Sequence, residues 1–295
     1  MPNENKTDMK ELRPELVEMM ERQAFGLDEN RPDAVARRES KNQKTARANV
    51  MELCDADSFI EYGALAVAAQ RGRRSEEDLI KRTPADGLIT GVGTVNGAGG
   101  GDENARCMVM AYDYTVLAGT QGYFNHKKMD RMLKLAYEQQ LPTIFFAEGG
   151  GGRPGDVDAL SIMTAGLDLA TFGAFAKLSG RVPLVGIVSG LCFAGNAALL
   201  GCCDVIIATK NANIGMGGPV MIEGGGLGVF APEEVGPIEV QGPNGVVDIE
   251  VAGDDEAIAA ARKYISYFQG TTSDWAVDDQ LRLRDLIPEN QKQPY

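Results

Sequence analysis

The chain has 295 residues, 44% of them hydrophobic and 24% charged, ordinary proportions for a globular protein with a large buried core. A net charge of −13 and a pI near 4.7 exclude a general affinity for nucleic acid or anionic membrane, so an anionic ligand needs a local basic patch. A single histidine, His126, excludes a multi-histidine metal site, and five cysteines with no C-x-x-C pair suggest neither a zinc ribbon nor a disulfide framework.

The polar opening MPNENKTDMKELRPE carries no targeting signal, and with cysteines that read as reduced and mostly buried the expected location is cytoplasmic. Met9 to Gln23 reads as a surface helix. The segment from Arg31 to Arg47 is polar and basic: either a solvated helix face or a phosphate-contacting patch made by Arg37, Arg38, Lys41, Lys44 and Arg47. A short helix is expected over Thr45 to Leu53 and a strand over Ser58 to Tyr62. Ala66 to Pro84 shows no periodicity and reads as an irregular connection. Strands are expected at Gly87 to Val95 and Ala105 to Tyr112, joined by a hairpin-type loop over Asn96 to Glu103. The glycines of that loop do not open a helix, so a dinucleotide fingerprint is unsupported.

His126 is expected at an exposed helix start, and Lys127 to Gln140 is the clearest amphipathic helix. Strands Thr143 to Ala147 and Leu184 to Val188, separated by a helix over Ile162 to Leu178, complete two crossover units. Repeated crossovers predict an α/β fold with a mostly parallel sheet and ligands at the carboxyl ends of its strands.

Both predicted strand ends run into glycines: LPTIFFAEGGGGRP from Leu141 and PLVGIVSGLCFAGNAALLGCCDVIIAT from Pro183. The uncharged run Val182 to Cys203 is interrupted by glycines, Pro183, Ser189 and Asn196, which favours a buried strand and helix over a membrane span. The second stretch reads strand, turn, helix (Asn196 to Cys203), strand (Asp204 to Thr209). A turn that opens a helix presents unpaired N–H groups, which can hold negative charge without an ionisable side chain. The alternative is that the glycines only permit close packing. Beyond Thr209, dense glycine up to Gly236 suggests a binding-site wall or lid, or a surface loop. A strand over Gly245 to Ala252, a helix over Asp254 to Phe268 and a tail of charges and turns from Gln280 to Gln293 follow.

From about Arg37 onward the chain resembles the N-terminal half of the carboxyltransferase component of biotin-dependent acyl-CoA carboxylases, of the acetyl-CoA and propionyl-CoA carboxylase type, in the crotonase superfamily. The residues that carry this are Lys44-Thr45-Ala46-Arg47, Asp57 to Glu61, Asp113-Tyr114-Thr115-Val116 with Gly119, Gly149 to Arg153, Gly190 to Gly195, Gly218-Pro219 and Pro232 to Gly236. The resemblance implies a ClpP/crotonase-like fold, with residues 1–36 as a helical extension and 37–295 as an acyl-CoA-binding domain. It departs from the family's usual serine at Gly149, usual alanine at Gly152 and smaller residues at Phe193-Ala194. The chain ends where relatives begin a second, homologous half, implied to bind biotin.

The implied reaction moves a carboxyl group from carboxybiotin to the α carbon of an acyl-CoA thioester, with biotin as proton acceptor and no metal. The implied enolate donors are the N–H groups of Gly150, Gly151, Gly152, Phe193, Ala194 and Gly195. The implied CoA contacts are Lys44, Arg47, Lys128 and Arg153, the last also holding the first turn. Implied partners are the biotin carboxyl carrier, the biotin carboxylase, the C-terminal half of the carboxyltransferase and further copies of the chain. Two alternatives stay open: a crotonase-type enoyl-CoA hydratase or acyl-CoA hydrolase using Glu148, Glu223 or Glu234 as base, and a non-catalytic acyl-CoA-binding or partner subunit.

Overall fold

Side chains along Arg106–Tyr112 alternate between two cores: Met108, Met110 and Tyr112 enter one, and Cys107, Val109 and Ala111 the other. A strand buried on both faces needs an unbroken apolar run, which is what this stretch, Thr143–Phe146 and Leu184–Val188 supply. The computed structural model describes residues 12–97, 103–159, 169–270, 277 and 279–287.

In chain order the main elements are α1 (Pro14–Ala24), α2 (Pro32–Glu39), α3 (Ala46–Leu53), β1 (Ile60–Glu61), α4 (Glu76–Arg82), β2 (Leu88–Thr94) and β3 (Arg106–Tyr112). There follow α5 (Tyr123–Gln139), β4 (Thr143–Phe146), α6 (Thr171–Ala176), β5 (Leu184–Val188), β6 (Leu191–Phe193) and α7 (Gly195–Leu200). The last are β7 (Val205–Thr209), β8 (Asn213–Gly215), α8 (Pro219–Gly224), α9 (Ile238–Gln241), β9 (Ile249–Val251) and α10 (Asp254–Ser266). Seven strands form one sheet in the order β1-β2-β3-β4-β5-β7-β9, antiparallel through β3 and parallel from β3 to β9. β6 and β8 form a small parallel sheet of their own.

Met129, Met132, Leu133 and Ala136 of α5 cover one face of the large sheet. The other is covered by Val50 and Leu53 of α3 with Ala257, Ile258, Ala261 and Ile265 of α10. Because β3, β4 and β5 run parallel, their carboxyl ends open on the same edge. The connections that leave those ends carry the glycine turns.

Several expectations change. The stretch taken as irregular holds α4, whose Ser75 hydroxyl caps the Asp78 N–H and whose side is laced by Arg74–Asp78, Lys81–Glu77 and Arg82–Asp78 ion pairs. Its periodicity was hidden because Leu79 is its one buried residue. Helix α5 begins at Tyr123, earlier than expected, since the carboxylates of Asp156 and Asp86 accept the first-turn N–H groups of Tyr123 and Asn125 at 2.8 and 2.7 Å. His126 is therefore inside the helix and 3% exposed, with Nδ1 2.9 Å from the Thr171 hydroxyl. The strand expected at Gly245 to Ala252 shrinks to β9. Parts of the expected N-terminal helix, the hairpin loop, the helix over Ile162 to Leu178 and the tail lie outside the described residues.

Candidate active site

The first glycine turn leaves β4 through Ala147 and Glu148, and the second leaves β5 through Ser189 and Gly190. They are stitched together by backbone. Gly149 donates to Leu191 O at 2.7 Å and accepts from the Phe193 N–H at 2.9 Å. Gly151, at φ +85°, has no room for a side chain, because a Cβ there would lie 2.7 Å from the Ala194 Cβ.

A shelf from β3 supports the first turn. Leu117, Ala118 and Gly119 all have positive φ, and so do Ala85, Asp86 and Gly87, which pack against Val116 through Gly87. Two such left-handed triplets are costly for residues other than glycine and persist only when surrounding contacts over-determine them. Here Ala118 O accepts the Gly150 N–H at 3.0 Å, and Gly119 O accepts from Asn196 Nδ2 at 3.3 Å. The buried Asn196 amide also accepts the Gly151 N–H at 3.0 Å. Gln121 brackets Gly152, donating to Gly151 O at 2.7 Å and accepting from the Arg153 N–H at 2.8 Å. Arg153 is buried on the Asp86 carboxylate and the Thr120 carbonyl.

Of the six nominated N–H groups, four are committed. Gly150 bonds Ala118, Gly151 bonds Asn196, Phe193 bonds Gly149, and Ala194 bonds Gly215 at 2.9 Å. Gly152 and Gly195 are left without a partner among the described residues. Gly152 is exposed, and a Cβ added to it meets nothing within 4 Å, so it faces open space. Gly195 is the first residue of α7, where helix geometry supplies no acceptor. The residue before it, Ala194, is held at φ 52°, ψ −118°.

Glu148 stands beside the first turn but is not free. Arg38 grips it with both terminal guanidinium nitrogens, at 2.8 and 2.7 Å, and both side chains are buried. Burial pushes the Glu148 carboxyl up to about 7, against the pull of Arg38. Glu223 and Glu234 are exposed on the glycine-rich segment, the latter accepting the Ala231 N–H at 2.7 Å.

Each of the nominated CoA contacts has an internal partner. Lys44 pairs with Glu52 and Asp255, and Arg47 with Glu61 at 2.9 Å. Lys128 donates to the carbonyls of Ala85, at 2.8 Å, and Leu88, and burial brings its ammonium down to about 8. Of the expected patch, Arg38 is buried on Glu148, whereas Arg37 is exposed and pairs with no carboxylate among the described residues. Arg37 lines a cleft of about 560 Å³ with Arg31, Arg74, Lys81 and Arg82, and Asp33 is the one carboxylate in its wall. Thr115 and Leu117 close that cleft on the side of the first turn. Among the described residues, no three His, Cys, Asp or Glu side chains gather as a metal site, and no helix is long and apolar enough to cross a membrane.

Residues 37–295 match the carboxyl transferase domain family. The chain belongs to this family. Among curated relatives, the chain is 30% identical over 272 residues to the methylmalonyl-CoA carboxyltransferase 12S subunit of Propionibacterium freudenreichii subsp. shermanii, covering 88% of this chain and 49% of that one. It is 26% identical over 304 aligned positions to the biotin-dependent acetyl-/propionyl-coenzyme A carboxylase beta5 subunit of Mycobacterium tuberculosis, covering 95% and 52%. The chain thus spans about half the length of the curated relatives it matches.

Two solved structures agree. A single-chain, multi-domain long-chain acyl-CoA carboxylase superposes with TM-score 0.85 at 57% identity, over 96% of this chain and 28% of that one. The transcarboxylase 12S, solved as a hexamer with hydrolysed methylmalonyl-CoA bound, gives 0.72 at 27% identity over 93% and 52%. The mixed, mostly parallel sheet with its small accessory sheet is the crotonase-like fold of these carboxyltransferases. Within that fold, sequence reading missed Asn196, Gln121 and Arg38 as the residues that hold the two turns. Asn196 carried a signal, being a polar side chain in a run otherwise almost wholly apolar.

Proposed function

We propose that residues 37–295 are the acyl-CoA-binding half of the carboxyltransferase of a biotin-dependent acyl-CoA carboxylase, with 1–36 as an extension fastened to it. The fastening runs through Arg31, which donates to Asp113 at 2.6 Å and Thr115 at 2.7 Å. The reaction moves a carboxyl group from carboxybiotin to the α carbon of an acyl-CoA.

The observation that carries this reading is the pair of unspent N–H groups, Gly152 and Gly195, on two turns fastened face to face. Both would donate to the thioester oxygen as it becomes an enolate oxygen, each worth about 3–4 kcal/mol of transition-state stabilisation. When bound, biotin supplies the carboxyl group and the nitrogen that takes the α proton. A turn whose one carboxylate is occupied by Arg38 suits a base that comes from outside the chain. A hydratase needs a free carboxylate there, so the carboxyltransferase reading is preferred.

The pyrophosphate and phosphate of CoA would lie against Arg37, whose guanidinium pairs with no carboxylate among the described residues, in the cleft that borders the shelf of the first turn. The partners are a biotin carboxyl carrier, a biotin carboxylase and the complementary carboxyltransferase half. Self-association is supported by the hexamer assembly described for the 12S neighbour. A long-chain acyl group is supported by the 57% identical neighbour.

The test is carboxyl transfer with the complementary half and a carboxylated carrier. Gly152→Pro removes the donor and is expected to slow transfer about a hundredfold. Gly152→Ala keeps the N–H, adds a Cβ that meets nothing, and retains transfer. Equal rates in the two variants, both folded by circular dichroism and both binding CoA, defeat the assignment.

A further inference from the structure

The segment from Met216 to Pro237 contains no buried residue, yet it is not polar. Met216 is 67% exposed, Val220 81%, Met221 64%, Leu227 75%, Val229 78% and Phe230 42%, and Glu223 is the one charged residue between Met216 and Ala231. Apolar surface concentrated in this way marks a binding face.

Both ends of the segment are tied to β8, the strand paired with the second glycine turn. At the near end, β8 pairs with β6, and Gly215 O accepts the Ala194 N–H. The Phe193 ring lies against Gly215 and Gly218, where added Cβ atoms would sit 3.5 and 3.6 Å from it. At the far end, Asn213 Nδ2 donates to Glu233 O at 2.8 Å and to Val235 O at 3.1 Å, and Ile214 donates to Gly236 O. The apolar stretch is thus a flap with both hinges on one strand, next to Gly195.

The two turns have unlike surroundings. Gly150, on the first, rests on the Leu117–Gly119 shelf that closes the basic cleft, whereas Phe193 and Ala194, on the second, lead to the flap. A thioester whose oxygen lies between Gly152 and Gly195, with its nucleotide on the basic side, sends its acyl chain towards the flap. We propose that the exposed apolar face of residues 216–230 is the binding surface for the alkyl tail of a long-chain acyl-CoA and sets the chain-length preference. Valine, leucine and two unbranched methionines on a glycine-rich backbone make an adaptable wall, suited to a flexible alkyl chain of no fixed shape. This rests on the acyl-CoA reading above and adds the location and chemistry of the acyl site.

The experiment is isothermal titration of the 295-residue chain with CoA, acetyl-CoA, octanoyl-CoA and palmitoyl-CoA below their micelle concentrations, alongside Val220→Ser/Leu227→Ser/Val229→Ser. All three side chains are at least 75% exposed, so the triple variant keeps its fold. Wild type is expected to bind palmitoyl-CoA at least about tenfold more tightly than acetyl-CoA, and the triple variant to lose most of that gain while binding CoA unchanged. Binding of CoA with no chain-length gain overturns the acyl site and leaves the CoA reading standing. A gain that survives in the triple variant, with weakened association to the complementary half, overturns it in favour of a protein interface. Failure of every CoA species to bind overturns both readings.

Discussion

Gly149 and Asn196 share one space: a Cβ on Gly149 would lie 2.2 Å from Asn196 Nδ2 and 2.3 Å from Gly119 O, the carbonyl to which that amide donates. The serine that the family resemblance implies at this position cannot coexist with the asparagine as it stands. The departure at Gly152 has no such cause, because an added Cβ there meets nothing.

Gly149→Ser is accordingly expected to destabilise the chain by about 2 kcal/mol or more, the scale of overpacking in a closed site. Asn196→Ala removes the Nδ2 clash and leaves the one with Gly119 O, so the double variant should be more stable than the sum of the singles by at least about 0.5 kcal/mol. Urea denaturation of the four proteins measures this. Strict additivity would show that the two residues do not compete.

Ala194 holds a conformation that glycine adopts with little strain. Ala194→Gly should raise stability by about 1 kcal/mol, seen as a higher thermal midpoint. Gly151→Ala, at φ +85° and 2.7 Å from the Ala194 Cβ, should lower it by about 1–3 kcal/mol. Opposite signs in one melting experiment separate strain from packing.

Arg37→Ala should weaken CoA binding roughly fivefold, with the loss shrinking at high salt, since an unpaired guanidinium meets phosphate there. Lys44→Ala should leave affinity unchanged, because Lys44 is engaged by Glu52 and Asp255. Titration calorimetry at two ionic strengths checks both, and the reverse pattern would return the phosphate site to Lys44.

His126 is the one histidine, so its imidazole resonances report on it without ambiguity. Burial holds its pKa below the usual 6.5. The unfolded chain therefore takes up a proton before the folded one does. This contribution to stability is present above pH 6.5 and is lost as pH falls through the depressed folded value. An NMR titration midpoint at or above 6.5 in the folded protein would contradict this.

Sheet, crossovers and both glycine turns were legible because they depend on local pattern: apolar runs of strand length ending in glycine at Leu141–Pro154 and Pro183–Gly195. Which N–H groups remain free was not legible. The acceptors for Gly150, Gly151 and Ala194 are Ala118, Asn196 and Gly215, residues that meet the turns only once the chain has folded. The same holds for charge. Lys44, Arg47 and Arg153 look like phosphate ligands in sequence, and their partners Asp255, Glu61 and Asp86 are invisible to any short window. Helix α4, with Leu79 as its one buried residue, has too little core for its period to show.

The grip of Arg38 on Glu148 joins residues 110 positions apart. During synthesis, Arg38 waits roughly 5–20 s for its carboxylate at ribosomal rates of about 5–20 residues per second. Through that interval it stays hydrated, and the strand that ends in the first glycine turn has not been made. The first turn therefore cannot form as an early local nucleus. A nascent chain that pauses before Glu148 is made carries Arg38 without the carboxylate it grips in the folded protein.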